Sequence, residues 1–100
     1  MNFVFTSLAK SDLEEIWTYI AEDNPDEASR FEADIYTACE LLATKPEMGS
    51  FRPKWTNKPV RFWPVRKNYL IVYVTEIEPL EILRIFNAAR DVPKMLNGIA

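Results

Sequence analysis

The segment Val60–Asn87, VRFWPVRKNYLIVYVTEIEPLEILRIFN, decides the fold. It holds three runs rich in β-branched and aromatic residues: Val60–Val65, Tyr69–Thr75 and Leu80–Asn87. The intervening turns, Arg66-Lys67-Asn68 and Glu76–Pro79, are short enough for consecutive antiparallel pairing. The middle run, YLIVYV, lacks alternation, so it is expected at the centre of the sheet, buried on both faces. Pro64 cannot donate to a ladder, which makes its strand an edge strand or ends it early. Strict alternation puts Ile82, Arg84 and Phe86 on one face and Glu81, Leu83 and Ile85 on the other. By the same rule Arg61 and Trp63 share a face.

Upstream, Asn2–Thr6 alternates and reads as a short first strand. A helix follows, capped by Ser7 or by a Ser11/Glu14 box, with Ala9, Leu13, Ile16, Trp17 and Ile20 on one stripe as far as about Glu22. Asn24 is a good N-cap, Pro25 suits the first helical position, and Asp26 and Glu27 complement the helix dipole. The second helix carries Ala28, Phe31, Ile35, Ala38 and Leu42 on its apolar stripe. It should stop near Lys45, because Pro46 disfavours helix in the residue before it. Pro46–Pro59 is a connector with three prolines and a glycine, and Val92–Leu96 suits a short closing helix. The expected fold is a single α+β domain over residues 1–100, ordered β-α-α-β-β-β, with a helical hairpin packed on one face of a mainly antiparallel sheet. The other face needs a partner or polar residues, and Arg61, Trp63, Arg84 and Phe86 are expected there as a mixed aromatic and cationic surface.

Composition narrows the chemistry. Histidine is absent, which excludes a Ser/His/Asp triad, a Cys/His dyad and a His-based metal site. The lone Cys39 cannot form an intramolecular disulfide and is expected in the core. With no signal peptide and no apolar run of membrane-spanning length, the cytoplasm is the expected compartment. The net charge of −3 conceals a split: residues 1–50 carry three basic and eleven acidic side chains, residues 51–100 nine basic and four acidic. Between Phe51 and Lys67 lie six cations and no acid. Either the two halves attract each other within the fold, or the basic run faces an acidic or phosphate-rich partner.

DLEEIWTYIAEDNPDEASRF (Asp12–Phe31), LLATKPEMG (Leu41–Gly49), VRFWPVRKNYLIVYV (Val60–Val74) and LEILRIFNAARD (Leu80–Asp91) resemble the RelE/ParE toxin superfamily. The resemblance spans about Leu8 to Asp91 and rests on the order and spacing of three features. These are the first-helix block, the Pro46-x-Met48-Gly49 turn and the pair Arg90-Asp91. It implies the same fold and one of two activities. RelE-type members cut messenger RNA on the ribosome, whereas ParE-type members poison DNA gyrase, and both are neutralised by an antitoxin.

The residues resemble the ParE branch. Leu70 stands where RelE-type enzymes carry an arginine, and Met95 and Leu96 stand where an aromatic or imidazole is expected. Arg90 matches a basic position common to both branches, while Asn87 stands where many ParE members have histidine. RNA cleavage needs a base and an acid, and neither is evident among Leu70, Asn87 and Met95. The resemblance therefore implies a toxin that inhibits DNA gyrase by binding, with no catalytic residue, cofactor or metal, held by a ParD-like antitoxin in a hetero-oligomer. The expected target-binding residues are Arg61, Trp63, Arg84 and Arg90; the expected antitoxin-binding residues are Leu13, Trp17, Ile20 and Phe62. The antitoxin is expected to cover apolar grooves beside the hairpin and to mask the basic side. The alternatives are a ribosome-dependent endoribonuclease and a member that has lost toxicity. Each arginine also has a plainer reading as half of a structural ion pair, Arg90 with a helix acid and Arg84 with a nearby carboxylate.

Overall fold

The computed structural model describes residues 3–89 and 92–96. Its elements run β1 (Phe3–Phe5), α1 (Ser7–Asp23), α2 (Pro25–Thr44), a 3-10 turn (Pro46–Met48), β2 (Arg61–Val65), β3 (Tyr69–Val74), β4 (Leu80–Asn87) and α3 (Val92–Leu96). This is the expected order. Thr6, rather than Ser7 or Ser11, caps α1: its Oγ1 accepts from the Ala9 N–H at 3.0 Å and donates to the Leu83 carbonyl at 2.8 Å. Asn24 serves both helices. Its own N–H closes α1 on the Ile20 carbonyl at 2.9 Å, and its Oδ1 accepts from Glu27 N–H at 3.1 Å to open α2. A one-residue joint of this kind forces an antiparallel hairpin. α2 ends at Thr44, before Pro46.

The sheet order is β1-β4-β3-β2, with β1 parallel to β4 and the other pairs antiparallel. β3 is internal, and Leu70–Tyr73 are buried on both of its faces. β2 lies at the edge that Pro64 requires. The hairpin face of the sheet buries Phe31, Ile35, Cys39 and Leu42 of α2 against Val65, Ile71, Tyr73, Ile82 and Ile85. The opposite face is not open. Val60, Phe62, Leu70, Val72 and Phe86 are buried there beneath Val92 and Leu96 of α3, with Trp55 of the connector packed alongside. A helix of one and a half turns and one tryptophan supply a second, thinner layer.

Two expectations about faces are overturned. In β4, Tyr73 pairs with Ile82 and Val72 with Arg84, so Leu83 is an extra residue. This β-bulge resets the alternation, and Ile82 and Ile85 both face the hairpin while Phe86 faces the other way. In β2, Arg61 pairs with Tyr73 and Trp63 with Ile71, both on the hairpin side. Arg61 and Trp63 therefore lie on the opposite face from Arg84 and Phe86, and the expected four-residue surface does not exist.

β1 covers only Leu80–Ile82 of its neighbour. Beyond that point α1 takes over through Asp12, whose Oδ2 accepts the Ile85 N–H at 3.0 Å. The same carboxylate accepts two bonds from Arg84, Nε to Oδ2 at 2.7 Å and Nη2 to Oδ1 at 2.8 Å. This fork-to-fork pair, with side chains only 15% and 12% exposed, holds the Arg84 pKa above its usual value mainly through the bond to Asp12. The guanidinium also lies over the Phe86 ring, 4.8 Å from its centroid.

Removing one half of such a pair leaves a poorly solvated charge or an unpaired N–H. Asp12→Ala is expected to cost about 3 kcal/mol, a fall in Tm on the order of 15 °C for a domain of this size. Calorimetry of Asp12→Ala, Arg84→Ala and the double variant should show the double losing less than the sum. Strict additivity would mean that the pair contributes no coupling.

Candidate functional site

Arg61 turns inward onto the connector. Its Nη1 donates to the Gly49 carbonyl at 2.7 Å and more weakly to Glu47 O at 3.4 Å, and the guanidinium lies 4.2 Å over the Phe51 ring. Its Nε is buried without a partner. Tyr73 grips the same turn from below: its hydroxyl accepts from Gly49 N–H at 2.8 Å and donates to the Pro46 carbonyl at 2.7 Å. Burial pushes the Tyr73 pKa up, with the Gly49 N–H and the Arg61 charge acting the other way. Gly49 is required here by close approach. A Cβ at this position would collide with the Tyr73 hydroxyl oxygen and the ring carbons beside it. The turn then hands the chain to β2 through reciprocal backbone bonds between Ser50 and Phe62, at 3.0 and 2.9 Å.

Arg66 is also occupied. It donates to Glu27 at 2.7 Å and Asp34 at 2.8 Å on α2, despite its left-handed backbone with φ of 54°. The bond from Arg66 is the leading cause that lowers the Glu27 pKa. Cys39 is sealed in the core, and burial pushes its thiol up to about 12, so it holds no thiolate at neutral pH. Asn87 accepts the Ala89 N–H at 2.9 Å with its own Oδ1. Arg90 and Asp91 lie outside the described residues.

The expected antitoxin-binding residues separate. Leu13 and Trp17 line a groove of about 350 Å³ with Phe5, Tyr36, Lys10, Glu14 and Glu32. Ile20 packs half-buried against the hairpin core. Phe62 lies on the other side of the sheet, 1% exposed beneath Trp55, and offers no surface to a partner. A second, shallower hollow between Glu15, Ile16, Tyr19, Tyr69 and Asn87 flanks the end of β4.

Asp12 and Tyr73 are the site-forming residues that pattern reading missed. Asp12 falls off the apolar stripe and looks like any solvated helix acid. Tyr73 reads as sheet core, and the only signal for its second role is the Pro46-x-x-Gly49 turn with nothing else to hold it. Gly49→Ala is expected to destabilise the protein by about 2 kcal/mol through overpacking. In a Tyr73→Leu background the same substitution should cost measurably less, because the hydroxyl oxygen, Cε1 and Cζ that the new Cβ would meet are all gone. Equal cost in both backgrounds, by chemical denaturation, would break the proposed link between the two residues.

The model of one protein family, described as the ParE toxin of the type II toxin–antitoxin system parDE, matches residues 3–92. No curated protein matches the chain. Among solved structures, one described as the chromosomal ParDE TA system from P. aeruginosa is similar in fold. It has a TM-score of 0.71 and 24% sequence identity, covering 87% of this chain and 95% of that one. With a family match across nearly its whole length, over the same β-α-α-β-β-β architecture, this chain belongs to the ParE toxin family of type II toxin–antitoxin systems.

Proposed function

We propose that this chain is a non-enzymatic toxin that inhibits DNA gyrase by direct binding in the cytoplasm and is held inactive by a ParD-like antitoxin. The observation that carries this reading is that the sheet positions Leu70, Tyr73 and Asn87 hold no free base or acid. Leu70 is 5% exposed in the second core layer, the Asn87 Oδ1 accepts the Ala89 N–H, and Tyr73 has both lone pair and proton engaged. Arg61 and Arg84 are bound to internal acceptors. A nuclease needs a base for the 2′-hydroxyl and an acid for the leaving oxygen, and these side chains supply neither.

The groove at Leu13 and Trp17 supports the antitoxin half of the proposal. It combines the apolar and aromatic side chains Phe5, Leu13, Trp17 and Tyr36 with the charged Lys10, Glu14 and Glu32, which suits an amphipathic helix. Arg61 serves this function as a positioning residue, by fixing the turn that leads into β2.

Induced expression is expected to give an SOS response and filamentous cells with translation intact, and the purified chain should inhibit gyrase supercoiling. Rapid cleavage of ribosome-bound messages, or no growth effect at all, would overturn the reading. Trp17→Ala is expected to weaken antitoxin capture by about 30-fold, as loss of a buried tryptophan anchor does. Unchanged affinity by titration calorimetry would place the antitoxin elsewhere.

A further inference from the structure

The run from Phe51 to Lys67 holds six cations and no acid, and the fold sorts them. Arg61 serves the turn carbonyls and Arg66 serves α2. Lys67 lies apart, exposed in the turn between β2 and β3, while Arg52, Lys54 and Lys58 remain on the connector and make no ion pair among the described residues. They share one folded turn. The N–H groups of Trp55 and Thr56 both bond to the Arg52 carbonyl, at 2.9 and 3.1 Å, and Thr56 Oγ1 accepts the Lys58 N–H at 3.1 Å. The Lys58 carbonyl then accepts Val60 N–H at 2.8 Å, where the chain enters the core.

The turn is also anchored from below. The Trp55 ring packs edge-on against buried Phe62, with centroids 5.3 Å apart, and the Arg52 guanidinium lies 4.9 Å over the Trp55 ring. Stacking occupies the flat face of the guanidinium and leaves its in-plane donors without an acceptor among the described residues. An arginine held this way is preorganised for a bidentate oxyanion contact, flanked by two exposed lysines.

We infer that the turn Arg52–Lys58 is a docking surface for the phosphate backbone of duplex DNA. A protein partner would want an apolar anchor at the centre of the contact, but Trp55 is half-buried and already packed on Phe62. What the turn offers outward is positive charge at fixed positions, and that is phosphate chemistry. The chain as a whole is acidic, so the contact is weak on free DNA and becomes effective where a partner already holds the duplex. This rests on the gyrase reading above, since gyrase supplies such a duplex.

The test uses the full chain and a fluorescein-labelled duplex of about 30 base pairs, followed by anisotropy across salt concentrations. Three phosphate contacts predict a log–log salt slope of about −3. Lys54→Ala/Lys58→Ala should reduce its magnitude by about two, while Lys45→Ala, away from the turn, should leave it unchanged. The double variant keeps the Arg52 stack, so its melting curve should match the parent and its fold is not at issue. No salt-dependent binding by the parent chain at low salt, or an unchanged slope in the double variant, would overturn the inference. So would a double variant that binds DNA normally but loses gyrase in a DNA-free pull-down, which would make the turn a protein contact. A parent chain that binds DNA as expected but neither binds nor inhibits gyrase would sink the proposed function and leave this inference standing.

Discussion

One carboxylate, Asp12, closes the structure where its sheet would otherwise fail. β1 is three residues long and leaves β4 beyond Ile82 without a strand beside it. An open run of backbone donors there would invite pairing with another chain. Instead Thr6 takes the Leu83 carbonyl, Asp12 takes the Ile85 N–H, and the intervening turn of α1 lies over the gap. Side chains thus replace a missing ladder. Arg84 neutralises the carboxylate that does this and rests on Phe86, which ties α1 to the second core layer as well as the first. An ion pair of this burial adds little net stability over an apolar replacement. With the bulge at Leu83, Arg84 and the Ile85 N–H meet the same carboxylate, so the pair is tied to this register of β4.

Much of the chain's organisation is legible in its residues, for identifiable reasons. Asn24-Pro25 is a strong helix start, Pro46 a strong stop, YLIVYV an unambiguous buried strand, and Pro64 an edge marker. Element bounds follow within a residue or two. The faces are another matter. Nothing in LEILRIF punctuates a bulge, since no glycine or proline marks it, and one extra residue inverts every later side chain. The second core layer was equally hidden. α3 has five residues, too few to show an apolar stripe, and Trp55 sits in a proline-rich segment that reads as loop. Without those covers in view, apolar β2 and β4 positions read as an exposed contact surface.

The arginines illustrate the limit most clearly. A cation on a strand has several carboxylates within reach on any acidic helix, and sequence spacing cannot choose between Asp12, Glu14 and Glu15. Geometry does, because only Asp12 also meets an orphaned N–H. Arg61 has no carboxylate partner among the described residues and still is not free, its donor being drawn to main-chain carbonyls of a turn held by Tyr73. The charge split between the two halves is resolved within the fold at Arg66 and Arg84. Arg52, Lys54 and Lys58 remain on the connector.

That remainder has a consequence for neutralisation. The groove at Leu13 and Trp17 lies beside β1, while the cationic turn leads into β2, and these are the two outer strands of the sheet. Three strand spacings, roughly 14 Å, separate those strands. A helix seated in the groove would leave the turn uncovered unless the segment continued round to the other face of the sheet, a path longer than the roughly five extended residues that cross those strands. An antitoxin that ends at the groove would have to act by blocking the proposed gyrase contact itself, leaving Arg52, Lys54 and Lys58 exposed in the complex. One that continues acidic past the groove can mask them. The two modes differ in how the complex responds to salt: occlusion at an apolar groove is nearly indifferent to ionic strength, whereas charge masking weakens as salt rises.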